Sequence, residues 1–278
     1  MTRCRPAIKG GAYTYPGGTG KHASILLRYF PPTSSYDTYS EPFVGGGSVF
    51  WAHPLCNQSR VVLGDKDPVT IRILRDIQSG QLKQDLSKFK CIQITPELFA
   101  KLPNSSHPLH NIAFYQTAYL AKRVNPSLRS KYKTSSICFT KLRSNIDAMK
   151  EKIQNTEIVN EDYAETIKSI DGKRTFFYLD PPWPGSEARR MYRHHEMDWI
   201  KYISILASIV GRFFSYTDWD DKIAKKAQSS GLRVYRIKSR KSAWRDPSKR
   251  IGSSGARTES SKGYMIITNY KLKIPQGE

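Results

Sequence analysis

The segment of this 278-residue chain with the most chemistry in it is Phe176-Phe177-Tyr178-Leu179-Asp180-Pro181-Pro182-Trp183. An apolar run of strand-forming residues carries a carboxylate, two prolines and an indole to its carboxyl end. Consecutive prolines fix φ and lack N–H donors, so nearby carbonyls can face a ligand instead of joining a ladder. One carboxylate and one backbone carbonyl can together accept both hydrogens of an exocyclic amine, and an indole offers a face on which a nucleobase stacks. The plainer alternative is a rigid loop with a buried tryptophan. The order in which this segment follows two others weighs against it.

Those two others suit a small ligand. Glu41-Pro42-Phe43-Val44-Gly45-Gly46-Gly47-Ser48-Val49-Phe50 reads as a strand running into a glycine turn and then an apolar helix start. Glycines let a ligand lie against the backbone, and the carboxyl end of a strand is where open α/β sheets bind their ligands. Alone, such a run is equally a tight strand-to-helix turn. Val61-Val62-Leu63-Gly64-Asp65 then ends a second apolar strand in a carboxylate. It lies roughly 20 residues after the glycine turn, the separation at which dinucleotide-type folds set an acid on ribose hydroxyls. Asp65 is the candidate ribose ligand; the alternative is a turn or helix cap ahead of Pro68, for which Asp67 is equally good.

A mostly parallel, helix-flanked sheet would position these residues, and short β-rich runs alternate with helical patterns as such a sheet requires. Strands are predicted at 38–42, 60–63, 175–179, 212–217, 232–238 and 264–269, and helices at 23–29, 69–78, 197–210 and 220–229. Residues 81–165 have a different texture, polar and Lys-rich, with Pro96, Pro103, Pro108 and Pro126 as breakers. They are expected to form an inserted, largely helical domain, leaving a discontinuous core domain at 1–80 and 166–278.

The chain carries 45 Lys and Arg against 24 Asp and Glu, a formal charge of +21. An enzyme of small neutral substrates has no need of that excess, and a polyanionic partner is its natural reading. Cys4, Cys56, Cys91 and Cys138 are scattered without a CxxC pair, so neither a zinc cluster nor a disulfide framework is expected, and a reducing interior fits. No run approaches the roughly 20 apolar residues that cross a bilayer. A soluble intracellular protein, cytoplasmic, is expected. His194-His195 is read as a surface pair, with no metal.

In this order the segments resemble the S-adenosylmethionine (AdoMet)-dependent amino methyltransferases, specifically the alpha-ordered adenine-N6 DNA methyltransferases of the Dam type. That family places cofactor motifs first, a target-recognition insertion next and a DPPY-like tetrad afterward. Tyr15-Pro16-Gly17-Gly18-Thr19-Gly20-Lys21 looks like its N-terminal aromatic-x-Gly-Gly-Lys element, EPFVGGGSVF like its AdoMet motif and LGDKDP like its acidic motif. The likeness extends to Tyr192 and to the segment from Arg257-Thr258-Glu259 to Asn269-Tyr270. The resemblance implies a Rossmann-like sheet with an inserted, mainly helical target-recognition domain. It implies cofactor contacts at Tyr15, Gly17, Gly18, Lys21, Glu41, Phe43, Gly45, Gly47, Asp65 and Asp180, and a catalytic tetrad of Asp180, Pro181, Pro182 and Trp183. Three departures stand out: the tetrad ends in Trp where Tyr or Phe is usual, two extra residues precede Lys21, and the insertion lacks the family's Phe-Asn-Gly segment.

The implied reaction methylates the exocyclic amine of adenine in double-stranded DNA, with the base rotated out of the stack and no covalent enzyme intermediate. Lys238, Arg240, Lys241, Arg245, Lys249 and Arg250 form a basic tract suited to phosphates, and Arg123, Lys131, Lys133 and Arg143 give the insertion a second such surface. The same amine geometry serves cytosine N4 or adenine in RNA, and a tetrad ending in Trp is similar to that of RNA adenine methyltransferases. A nucleic-acid-binding relative that has lost transfer is the remaining alternative, against which the intact acid and aromatic of the tetrad stand.

Overall fold

The computed structural model describes residues 5–8, 13, 15, 19–20, 22–56, 58–89, 91–118, 126–128, 136–184, 197–237 and 263–272. Seven strands form the main sheet: β1 (Thr38–Glu41), β2 (Arg60–Gly64), β5 (Glu157–Val159), β6 (Thr175–Leu179), β7 (Arg212–Asp218), β8 (Arg233–Ile237) and β9 (Tyr264–Thr268). Their order is β5-β2-β1-β6-β7-β9-β8. The first five run parallel, and β9 is antiparallel to both its neighbours. This is the Rossmann-like methyltransferase sheet expected from the sequence.

Alternation along each strand divides the core between the two faces of the sheet. Tyr39, Val61, Leu63, Phe176, Tyr178 and Phe214 pack on one side with α1 (Ala23–Leu26), α2 (Ser48–Ala52) and α3 (Pro68–Ser79). Val62, Phe177, Leu179, Phe213 and Ile267 pack on the other with α8 (Tyr163–Ile170), α9 (Trp199–Ser208) and α10 (Asp221–Ser229). With both faces covered, a central strand is favoured when it is largely apolar, and every residue of β6 is buried.

The segment between α3 and β5 is largely helical. It contains α4 (Gln81–Lys88), α5 (Pro96–Lys101), α6 (Pro108–Thr117) and α7 (Thr140–Ile153), with a two-stranded antiparallel ribbon of β3 (Cys91–Gln93) and β4 (Ser136–Cys138). Pro96 and Pro108 do not break structure here; each occupies the first turn of a helix, where its missing N–H costs nothing. Thr95 and His107 cap those turns by accepting from the N–H groups of Leu98 and Leu109. Leu86, Ile112, Phe114, Leu142, Ile146 and Met149 belong to the same cluster as the first face of the sheet, so one apolar core runs through both.

Two expectations are corrected. β5 lies within 81–165, yet it pairs with β2 and forms the edge of the main sheet, where Arg60 meets Glu157 in a two-pronged ion pair. A three-residue edge strand among polar neighbours leaves little trace in sequence. Cys91 and Cys138 are joined in a disulfide across 47 residues, directly opposite each other in the β3–β4 ribbon, and Cys56 is disulfide-bonded as well. Spacing along the chain gives no sign of a pairing that the ribbon creates. Among the described residues no helix is long and apolar enough to cross a membrane.

Candidate active site at the carboxyl edge of the sheet

From β1 the chain builds the sheet outward through β2 and β5 on one side, then returns to build β6 and β7 on the other. Open α/β sheets bind ligands at such a reversal, outside the carboxyl ends of the strands. Here four neighbouring strands end in acids: Asp65 after β2, Glu41 closing β1, Asp180 after β6 and Asp218 closing β7.

Asp180 is held by two donors. The indole N–H of Trp183 donates to Oδ1 at 3.2 Å and the hydroxyl of Tyr178 to Oδ2 at 3.3 Å. Thr19, from the N-terminal element, also favours the charged form of the carboxyl. Trp183 stands nearly perpendicular to Tyr216 and Tyr264, with ring centroids 6.4 and 6.0 Å away. Burial among these rings outweighs the donors and pushes the carboxyl up to about 7, with Asp218 adding like charge. Pro181 is buried, and Pro182 and Trp183 are half-buried.

Beside this corner lies the glycine turn. Gly45 and Gly47 have φ of 48° and 66°, the left-handed region that glycine enters without strain. A Cβ on Gly45 or Gly46 would stand 2.9 Å from Tyr15, and one on Gly47 2.9 Å from the Trp51 indole. The Gly45 N–H donates to Asp65 Oδ2 at 2.9 Å and the Asp67 N–H to Oδ1 at 2.8 Å. Burial pushes Asp65 up to about 7 despite these bonds. The helix cap considered for Asp65 belongs to Asp67, which accepts from the Val69 N–H at the start of α3. Tyr15 also touches Tyr115 of α6, which stacks on Tyr13 at 5.4 Å, so the segment between α3 and β5 reaches the rim of the glycine turn.

Other expected residues are placed differently. Glu41 is only 1% exposed, receives the Tyr39 hydroxyl at 2.6 Å and the Phe50 N–H, and is pushed up to about 8 by burial. It underlies the turn. Phe43 stacks on Tyr163 of α8 at 4.9 Å, behind the turn. Arg143 donates to the carbonyls of Leu86 and Phe89 at the end of α4, a capping role its sequence context did not suggest. Gly17, Gly18, Lys21, Arg123, Lys131, Lys133, Lys238, Arg240, Lys241, Arg245, Lys249 and Arg250 lie outside the described residues, as do Tyr192, His194, His195 and Arg257-Thr258-Glu259.

Residues 15–215, most of the chain, match the D12 class N6 adenine-specific DNA methyltransferase family. The chain belongs to that family. No curated protein matches it. This D12 class methyltransferase transfers a methyl group from S-adenosylmethionine to adenine N6 in DNA. The residues present fit that cofactor: the bare glycine turn lets the Tyr15 ring lie directly against Gly45 and Gly46 at its rim, and the row of acids suits a cation bearing ribose hydroxyls. Among the described residues no cluster of His, Cys, Asp or Glu could hold a metal.

Sequence reasoning missed several residues of this candidate site. Thr19 and Tyr178 carry no motif weight of their own, and Tyr115, Tyr216 and Tyr264 reach the site only through tertiary packing. Lys152 of α7 was also missed. Its buried ammonium donates to the carbonyls of Pro6, Trp51 and His53 at 2.8, 2.9 and 2.8 Å, tying α7 to the end of α2. A lone Lys in a Lys-rich helix gives no sign of that.

Proposed function

We propose that Asp180 and the Pro181 carbonyl accept the two hydrogens of the adenine N6 amine while Trp183 stacks on the base. The observation that carries this reading is the joining of Asp180 and Trp183 at the tip of β6, one strand from the glycine turn. Bound S-adenosylmethionine supplies an electrophilic methyl on a sulfonium. The protein's part is positioning and electrostatics: two acceptors set the nitrogen lone pair on one line, and the aromatic face fixes the ring plane. Tyr15, Gly45, Gly47 and Asp65 hold the cofactor on this reading, with Gly17, Gly18 and Lys21 of the N-terminal element and Phe43 behind the turn, over a floor made by Glu41.

In a duplex the amine is paired and stacked, so the base is rotated out at a cost of a few kcal/mol. On this reading the substrate is double-stranded DNA. Residues 81–165 serve target recognition, with the boundary drawn back ahead of β5. The basic residues at 123, 131, 133 and 238–250 contact phosphates, for which the +21 charge is the support. The protein acts where cellular or viral DNA is, in the cytoplasm.

The test is transfer from labelled S-adenosylmethionine to duplex DNA, followed by nucleoside analysis, with Asp180→Ala beside the parent. Transfer should vanish while DNA binding survives, and binding should weaken steeply with salt. Normal methylation by the variant removes Asp180 from the reaction.

A further inference from the structure

One donor on Asp180 comes from a position where this chain departs from its family pattern: Trp183 fills the fourth position of the tetrad. We infer that Trp183 is a positioning residue that holds the Asp180 carboxylate in one orientation before the target base arrives. This rests on the reading that Asp180 receives the amine.

A terminal carboxylate torsion is broad and roughly two-fold, so without partners Asp180 would sample many orientations. Donors on both oxygens remove that freedom. Each oxygen keeps a second lone pair, so the amine can be received without displacing either donor. An indole N–H lies in the plane of the ring and stacking uses the face, so Trp183 can donate and stack at once. A Phe ring at 183 would stack and donate nothing. The indole is itself fixed by the near-perpendicular rings of Tyr216 and Tyr264, so little rotamer freedom is lost when it holds the acid.

The charge environment explains why donors are needed. Asp180 faces Glu41 on β1, Asp218 and Tyr216 on β7, Tyr202 on α9 and Tyr178 on its own strand, with no cation among these groups. Hydrogen bonds to the charged form are what oppose burial and like charge there. Removing them should drive the carboxyl further up.

Two measurements on the full chain test this. In the first, the indole N–H resonances are recorded with 15N-labelled tryptophan, and the Trp183 signal is the one missing from Trp183→Phe. It should move, and exchange faster with solvent, in Asp180→Ala; a signal that stays in place overturns the proposal. In the second, Trp183→Phe should lower kcat by roughly tenfold, as loss of a hydrogen bond to a charged group does. KM for DNA should change little, and the acid limb of the pH profile should move to higher pH. Parent-like kcat and pH profile in this variant overturn the proposal. A parent protein that transfers no methyl would instead sink the role of Asp180, and the indole signal would still decide the hydrogen bond.

Discussion

An acid kept for chemistry in a poor setting for charge should cost the fold stability, and Asp180→Asn measures that cost. The folded carboxyl titrates at about 7 against an ordinary 3.8. The unfolded chain therefore releases this proton first as pH rises, and stability falls between about 3.8 and 7 and stays reduced above. Three units at about 1.4 kcal/mol each give about 4 kcal/mol, and partial access to solvent brings this to about 2 kcal/mol. Asn keeps the shape, and its oxygen still accepts from Trp183 or Tyr178. At pH 8.5 the ligand-free variant should melt roughly 5 °C above the parent, since 1 kcal/mol is worth about 2–4 °C in a chain of this size. At pH 5 the gain should be less than about half as large, because the parent acid is then mostly protonated when folded. Methyl transfer should be lost at both pH values. Thermal melts with and without the substitution decide it; equal gains at the two pH values, or a loss at 8.5, would refute the reasoning.

Further outcomes follow from the same geometry. Gly45→Ala puts a Cβ 2.9 Å from Tyr15 on a left-handed backbone, so calorimetry should show cofactor affinity reduced by about tenfold or more with the fold intact. Reduction of Cys91–Cys138, which closes a separation of 47 residues, should lower stability by at most about 4 kcal/mol. The paired Ser variants should show that loss without reductant, and added reductant should then act on them only through the bond at Cys56. Lys152→Met strips the carbonyls of Pro6, Trp51 and His53 of their donor and should cost about 3 kcal/mol by denaturant titration at neutral pH. Burial lowers the Lys152 ammonium to about 7, so the unfolded chain binds the extra proton up to about 10.5. Parent stability should gain from this as pH rises through that window, a contribution the Met variant lacks.

What the sequence revealed depended on where each residue sits. β6 was legible to its last residue because its run is nearly all apolar, as burial on both faces favours, and Asp180 and Trp183 stood out where that run stops. Asp65 was legible for the same reason, after the apolar strand β2, whereas Gly45 stood out through its run of glycines and not through β1, which reads Thr-Tyr-Ser-Glu. β5 and the β3–β4 ribbon were not, since three residues at a sheet edge or in a ribbon need no hydrophobic pattern. Pro96 and Pro108 misled because proline ends one helix and begins another with equal ease, and only the cap before it tells which. Thr19, Tyr115 and Tyr264 reach the site across long stretches of chain, and no local signal encodes such contacts.

The row of acids at the sheet edge makes sense only beside the basicity of the rest of the chain. Asp65, Glu41 and Asp180 are all pushed upward, chiefly by burial, and like charge adds to this from Asp67 on Asp65, from Asp180 on Glu41 and from Asp218 on Asp180. Such an edge is hostile to phosphate. A chain with a charge of +21 nonetheless has ample means to hold a polyanion elsewhere on its surface. On the proposed reading the two fields sort the parts of one substrate, holding the backbone on basic residues and admitting the uncharged base to the acidic edge. A cationic methyl donor is drawn to the same edge, where its charge relieves the repulsion between acids. Replacing any of these acids by a neutral residue should therefore weaken cofactor binding and at the same time make the edge less hostile to phosphates, two effects that binding assays with cofactor and with DNA would register in opposite directions.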